Sequence, residues 1–240
     1  RRADAYYQFM LGRRLENSDD VPGAIAAFRR ALDLDPTSAV LRAELATLFA
    51  RQGRIAEALT EAQAGLALDA ENAELHQLMG TIAPEAAPSD DECLAGPEPA
   101  QAAARTAMAH LERALAGATV DTAPGIRLAL GRLGLQTKEY DKAIVALRQL
   151  LVDEPGFPQA VAMLAEAYKA AGKPESALDL LKDASQRDPD FHASLAKAYE
   201  EAERWDEAAA AYERASAANP RDTDVKVHWA LSLLNAGGGG

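Results

Sequence analysis

The chain has little of what stabilises small stapled folds or β-sheets. One cysteine, Cys93, stands among 240 residues, so no intrachain disulfide can form. A helical array needs no such staples, so the compartment does not follow from this. Aromatic side chains make up 5% of the chain, against a hydrophobic share of 48% in which Ala and Leu are prominent. Strands draw on β-branched and aromatic residues, so this balance favours helices. No apolar run approaches the roughly 20 residues of a membrane span. No signal-peptide pattern is present, and the chain opens RRADAYYQF without a starting methionine, so a processed form or an excised fragment is expected. Lysine is absent before Lys138 and arginine serves instead, which points weakly to a GC-rich bacterial genome. Cytoplasm and periplasm are equal expectations.

Positive charge is also scarce. The net charge is −12 and both halves share it: residues 1–120 carry 11 basic and 18 acidic side chains, and residues 121–240 carry 14 and 19. Neither half is a basic arm, which disfavours DNA or RNA as partner. Catalytic signatures are missing too. The four histidines, His76, His110, His192 and His228, do not pair with each other or with Cys93 at metal-ligand spacing. There is no G-x-S-x-G, Walker loop or dinucleotide fingerprint, so no catalytic residue, metal or cofactor is expected. His76 and His192 are expected on the inner side of their helices, packed or half-exposed. The closing run Gly237–Gly240 lacks the strand–helix context of a phosphate loop and reads as a flexible tail.

A period is what the sequence does contain. The stretch Leu195 to Pro220, LAKAYEEAERWDEAAAAYERASAANP, reads as two amphipathic helices joined by a turn at Trp205. Leu195, Ala196 and Tyr199 form one apolar stripe, and Ala208, Tyr212 and Ala215 the other. Pro220 closes the unit, since proline lacks an N–H and its ring clashes with the preceding turn. Small residues recur in each first helix at Gly12, Ala46, Gly80, Gly131, Ala165, Ala196 and Ala230, with spacings of 34, 34, 51, 34, 31 and 34. The alanine of each second helix, at 24, 58, 107, 143, 177 and 208, follows its small residue by 12 positions in every unit but the third, where the offset is 27. An Ala-rich sequence without repeats would not keep both distances.

This period, with its small, aromatic, Ala and Pro landmarks, resembles the tetratricopeptide repeat family over nearly the whole chain. The first repeat supplies Leu11, Gly12, Leu15, Ala24, Phe28, Ala31 and Pro36. The fifth supplies Leu164, Ala165, Tyr168, Ala177, Leu181, Ala184 and Pro189. Ala70 stands where the second repeat usually has proline, and Gly134 where the fourth usually has a bulky residue. The resemblance implies an all-α right-handed α-solenoid of helix–turn–helix repeats. It would form one array over residues 1–236, with repeats at about 5–38, 39–72, 73–123, 124–157, 158–188 and 189–222, a lone final helix at 223–236 and a tail at 237–240. One repeat cannot bury its own apolar faces, so stability must come from stacking. Asp35-Pro36, Asp188-Pro189 and Asn219-Pro220 end units, after which Thr37, Ser38, Asp190 or Thr223 can cap the next helix.

Repeat three carries 15 extra residues, within the stretch Ala83 to Ala100 that holds four prolines and five acids. Pro84 should end its first helix, and Pro99 can open an extended second helix reaching about Ala116. The cluster Asp90-Asp91-Glu92-Cys93 reads as a solvated loop tip, or as a partner-docking loop. Its acids would raise the thiol pKa and argue against reactivity. Repeat six begins three residues early, at Asp188-Pro189-Asp190, where a local change of pitch is expected.

The family resemblance also implies a function. In tetratricopeptide arrays the first helices line a concave groove that binds peptides or helices of protein partners. The corresponding groove residues here are Tyr6, Phe9, Arg13, Asn17, Arg51, Gln77, Leu128, Arg132, Glu166, Lys169 and Lys197. Aromatics with arginine at the start of the chain form the mixture enriched in binding hot spots. The alternative is that Tyr6 and Phe9 merely cover an exposed first helix or face a further repeat. Members that grip a chaperone's terminal carboxylate use two Lys, two Asn and an Arg on three successive first helices. The equivalent places hold Phe9, Arg13, Glu44, Glu74 and Leu78, or Leu128, Arg132, Met163, Asp190 and Ser194 three repeats later, which disfavours that subtype. The expectation is a non-catalytic protein-binding scaffold. Two other readings stand beside it: the recruiting arm of a larger enzyme such as a glycosyltransferase, and a self-assembling scaffold in which the last helix docks on a neighbour's first repeat.

Overall fold

The computed structural model describes residues 2–83 and 98–237, and these contain thirteen helices and no strand. In chain order they are α1 (Arg2–Asn17), α2 (Val21–Leu34), α3 (Ala39–Arg51), α4 (Ile55–Leu66), α5 (Ala73–Ile82), α6 (Glu98–Ala116) and α7 (Ala123–Gln136). They continue as α8 (Tyr140–Asp153), α9 (Pro158–Ala170), α10 (Pro174–Arg187), α11 (Phe191–Glu201), α12 (Trp205–Ala218) and α13 (Thr223–Gly237). The helices group into two compact units, Arg1–Thr137 and Lys138–Gly240. Within each unit, consecutive helices pack antiparallel as hairpins and stack on the next hairpin, so each is an all-α solenoid segment of helix–turn–helix repeats.

The helix-to-helix turns explain why the period is kept. A residue with positive φ follows the first helix of the α1–α2, α3–α4, α9–α10 and α11–α12 hairpins, at Asp19, Gly53, Gly172 and Glu203, and another, Lys138, follows α7. In the four hairpins the next N–H reaches back to the carbonyl of a bulky residue: Asp20 to Leu15, Arg54 to Phe49, Lys173 to Tyr168 and Arg204 to Tyr199, at 2.8–2.9 Å. This six-to-one closure satisfies a carbonyl that the helix end would otherwise leave bare. The residue after the turn also covers the aromatic: the Arg54 guanidinium lies 4.5 Å from the Phe49 ring centre, and that of Arg204 4.8 Å from Tyr199.

Small residues then set the helix spacing. Gly12 faces Phe28 so closely that a Cβ there would lie 2.6 Å from the ring, and a Cβ on Gly80 would lie 2.4 Å from Leu111 Cγ. The second-helix alanines at 24, 58, 107, 143, 177 and 208 are all fully buried. Ala230 is the exception among the first-helix small residues: it is exposed, and α13 packs on α12 through Val225 and Trp229. The cores are accordingly Leu- and Ala-rich, built around Phe28, Leu45 and Phe49 in the first unit and Leu181, Leu195 and Tyr212 in the second.

Helix starts follow local chemistry. Ser38 Oγ accepts from Leu41 N and Asn72 Oδ1 from Leu75 N, which caps α3 and α5. At α13 the cap is Asp222, whose carboxylate accepts from Asp224 N and Val225 N at 3.1 Å; Thr223, expected in that role, is already the first helical residue. Asp190 precedes α11 without a side-chain capping bond. Helix α6 starts at Glu98 and runs 19 residues to Ala116. The acidic cluster at 90–93, with its docking-loop reading, and Pro84 lie outside the described residues.

Candidate functional site

The expected binding face consists of the outward residues of the first helices, α1, α3, α5, α7, α9, α11 and α13. In the first unit, α1 and α3 frame a recess of about 320 Å³ lined by Arg2, Ala5, Tyr6, Phe9, Asp35, Ser38, Val40 and Leu41. Tyr6 is 65% exposed and Val40 58%, so the mouth is apolar. Phe9 is half-buried: its ring sits 6.0 Å from that of Phe28 in the core and 6.4 Å from that of Tyr6. The i, i+3 spacing of Tyr6 and Phe9 puts both on one side of α1, with Phe9 as floor and Tyr6 as rim.

The arginines expected beside this recess are engaged within the chain. Arg13 donates to both oxygens of Glu44, at 2.9 and 3.2 Å, and lies 3.8 Å from Glu16. Arg51 donates to Glu16 at 2.7 Å. The four side chains alternate in sign across the α1–α3 seam, so each arginine reaches a partner carrying an acid already in place. Partial burial raises the Glu44 carboxyl pKa, against the pull of Arg13. Asn17 is exposed at the end of α1, and Gln77 on α5 is half-buried. On α7, Leu128 is half-buried and Arg132 exposed.

In the second unit the same pattern recurs between α9 and α11. Lys169 donates to Glu201 at 2.8 Å, while Glu166 and Lys197 are exposed. The expected residues therefore divide into an aromatic recess at Tyr6 and Phe9, seams of paired charges, and isolated exposed side chains.

Two constellations were not expected. His76, 1% exposed on α5, meets His110 of α6 with their Nδ1 atoms 2.8 Å apart, and its Nε2 faces Ala70 O at 2.9 Å. The carbonyl can only accept, so His76 carries its proton on Nε2 and His110 donates from Nδ1. Linear spacing hid this pair because the register of α6 depends on where the insertion releases the chain. On α11, Glu200 takes a 2.5 Å hydrogen bond from Tyr212 Oη, and His228 Nδ1 of α13 lies 3.1 Å from both of its oxygens. Burial pushes the Glu200 carboxyl upward, but these two bonds outweigh it and hold the pKa below its ordinary value. The Tyr212 hydroxyl is raised by burial and by Glu200. Among the described residues no group of three or more His, Cys, Asp or Glu could hold a metal ion, and no helix is long and apolar enough to cross a membrane.

A tetratricopeptide repeat family model matches residues 18–82, 135–198 and 168–234. No curated protein sequence matches the chain. Solved structures similar to it include MamA, at 22% identity and a TM-score of 0.61, covering 78% of this chain and 93% of that one. YrrB, described as a TPR protein with an unusual peptide-binding site, has 16% identity and a TM-score of 0.64, covering 84% and 96%. PilW, a widely conserved type IV pilus biogenesis factor, has 20% identity and a TM-score of 0.53, covering 93% and 97%. At these identities the likeness concerns the fold.

Proposed function

The chain belongs to the tetratricopeptide repeat family, whose members generally mediate protein–protein interactions, and on that premise we propose a non-catalytic scaffold that binds a peptide or helix of a protein partner on the first-helix face. The observation that carries this reading is the recess at Tyr6, Phe9 and Val40, an apolar concavity open to solvent beside a seam of fixed charges. An apolar side chain of the partner enters the recess and sheds water there, at about 25 cal/mol per Å² of apolar surface removed. The Arg13–Glu44 and Arg51–Glu16 pairs offer hydrogen-bonding groups of both signs to the partner's backbone. Pre-pairing holds these side chains in place, so little rotamer freedom is lost on binding. Within the first unit the remaining expected positions, Asn17, Gln77, Leu128 and Arg132, supply complementarity more than energy, and Glu166, Lys169 and Lys197 belong to the first-helix face of the second unit taken by itself. Neither a nucleic acid nor a cofactor is part of this reading.

Panning a random peptide library on the folded chain tests it. Enriched peptides should perturb amide resonances of Tyr6, Phe9 and Val40, and Phe9→Ala with Arg13→Ala should weaken them at least about tenfold. Peptides that bind equally well to this double variant would refute the groove.

One observation favours self-assembly as a second reading. Val227, Leu231, Leu233 and Leu234 of α13 are all exposed. Val227, Leu231 and Leu234 follow an i, i+4, i+7 spacing on one side of α13, and an exposed apolar side of this kind suits a contact with another copy of the chain. Light scattering over a concentration series decides it, a monomer throughout being the negative result.

A further inference from the structure

The second unit contains two grooves in equivalent places, and their chemistry differs. The first lies between α8 and α10 over α9, with Val161, Leu164 and Tyr168 as its floor. The second lies between α10 and α12 over α11, with His192, Leu195 and Tyr199 in the same three places and a volume of about 240 Å³. The repeat register matches them residue by residue. Leu151 becomes Ser185, Val152 becomes Gln186, Asp179 becomes Ala210 and Asp183 becomes Arg214, while Arg148 becomes Lys182.

These exchanges change the charge balance. The first groove sets Arg148 and Arg187 against Asp179 and Asp183, and Arg187 is bonded to Asp183. The second keeps two cations, Lys182 and Arg214, neither of which makes an ion pair among the described residues. Its one acid, Glu207, is already held by Arg204 through bonds of 3.0 and 2.6 Å. In a chain of net charge −12 this is a local excess of positive charge. The floor changed as well. His192 Nδ1 is buried with no hydrogen-bond partner, a cost that a hydrophobic Val161 does not carry in the neighbouring groove. Stacking alone does not require a histidine there.

We propose that this second groove is a binding pocket for an oxyanion, a phosphate or carboxylate group borne on a short apolar stem. The oxyanion takes charge-assisted hydrogen bonds from Lys182 and Arg214 beside the His192 ring, which lines the same groove. The stem lies along Leu195, Tyr199, Ala210 and Ala211. The pocket is on the second-helix side of α11 and does not rest on the first-helix reading. Burial and the Arg214 charge both depress the His192 pKa. The groups facing it are Lys182 from α10, Tyr199 from α11, and Arg214 and Glu207 from α12. A bound oxyanion adds a negative charge beside the ring and raises that pKa.

Histidine ring resonances of the full chain, followed while phenyl phosphate, benzoate or inorganic phosphate is added at constant ionic strength, test the proposal. The expected result is a saturable shift of His192 with at least one stemmed ligand and a raised His192 pKa at saturation. Arg214→Asp, which restores the residue of the neighbouring groove on an exposed position, should weaken binding at least about tenfold. Lys182→Met should weaken it to a lesser extent. Preference for phenyl phosphate or for benzoate identifies which oxyanion is read. Inorganic phosphate binding as tightly as phenyl phosphate removes the apolar stem from the proposal. No saturable shift with any probe, or a shift undiminished in Arg214→Asp, overturns it.

Discussion

His76 Nδ1 and His110 Nδ1 lie 2.8 Å apart, and only one proton fits between them. His110 is depressed below the ordinary histidine value of 6.5, first by burial and then by His76 and Arg113. The unfolded chain therefore takes up a proton near pH 6.5 that the folded chain refuses, and stability must fall as the pH drops through that value. Urea denaturation between pH 7.5 and 5.5 (about the window where such a histidine titrates) should show this loss. In His76→Leu with His110→Leu the slope should be shallower. His110→Ala alone leaves His76 Nδ1 buried and unpartnered, at a cost of about 1–3 kcal/mol at pH 7.5.

Glu203 occupies the left-handed turn between α11 and α12 with φ of 56°, where the equivalent places hold Gly53 and Gly172. A left-handed L-residue costs roughly 1–2 kcal/mol, of which glycine's greater unfolded entropy returns roughly 0.5–1. Glu203→Gly should thus stabilise the chain by about 0.5–1 kcal/mol, read as a higher urea midpoint at unchanged slope.

Gly12 meets Phe28 with no room for a methyl group, and Phe28 is wholly buried. Gly12→Ala should destabilise by about 1–3 kcal/mol, although alanine is the better helix former. Gly125 has open space around its Cβ direction and lies within α7, so Gly125→Ala should instead stabilise by up to about 1 kcal/mol. Thermal melts of the two variants should move in opposite directions.

Glu200 couples α11, α12 and α13 through Tyr212 and His228. Its carboxyl sits below the ordinary value of 4.5, so its contribution is present above that pH and lost as the pH falls through the folded value. Amide exchange of α13 should accelerate over this acid range in the wild type. In Glu200→Gln, α13 exchange should be faster at neutral pH and lack that acid component.

Legibility followed locality. The helices were readable because each is fixed by a local pattern: the small residue at Gly12 or Ala165, the alanine at Ala24 or Ala177, the Pro after the second helix. The exposed aromatic at Tyr6 was readable for the same reason. What could not be read was the partner of each outward charge. Arg13 and Arg51 were expected to face a binding partner, and they are tied to Glu44 and Glu16 across neighbouring first helices, 31 and 35 residues away. The cap of α13 was misplaced by one residue, because Asp222 and Thr223 are both capping types and only the backbone path selects between them.

The sequence by itself determined the helix–turn–helix period, the fold class and the family, since a repeat writes its packing landmarks at fixed distances along the chain. The tertiary structure alone decided which side chains meet across a seam: His76 with His110, Glu200 with His228, and the cations Lys182 and Arg214 along one groove with His192. The physical reason is that apolar stacking depends on residue size at regular intervals, whereas a hydrogen bond or an ion pair depends on ångström-level register between helices.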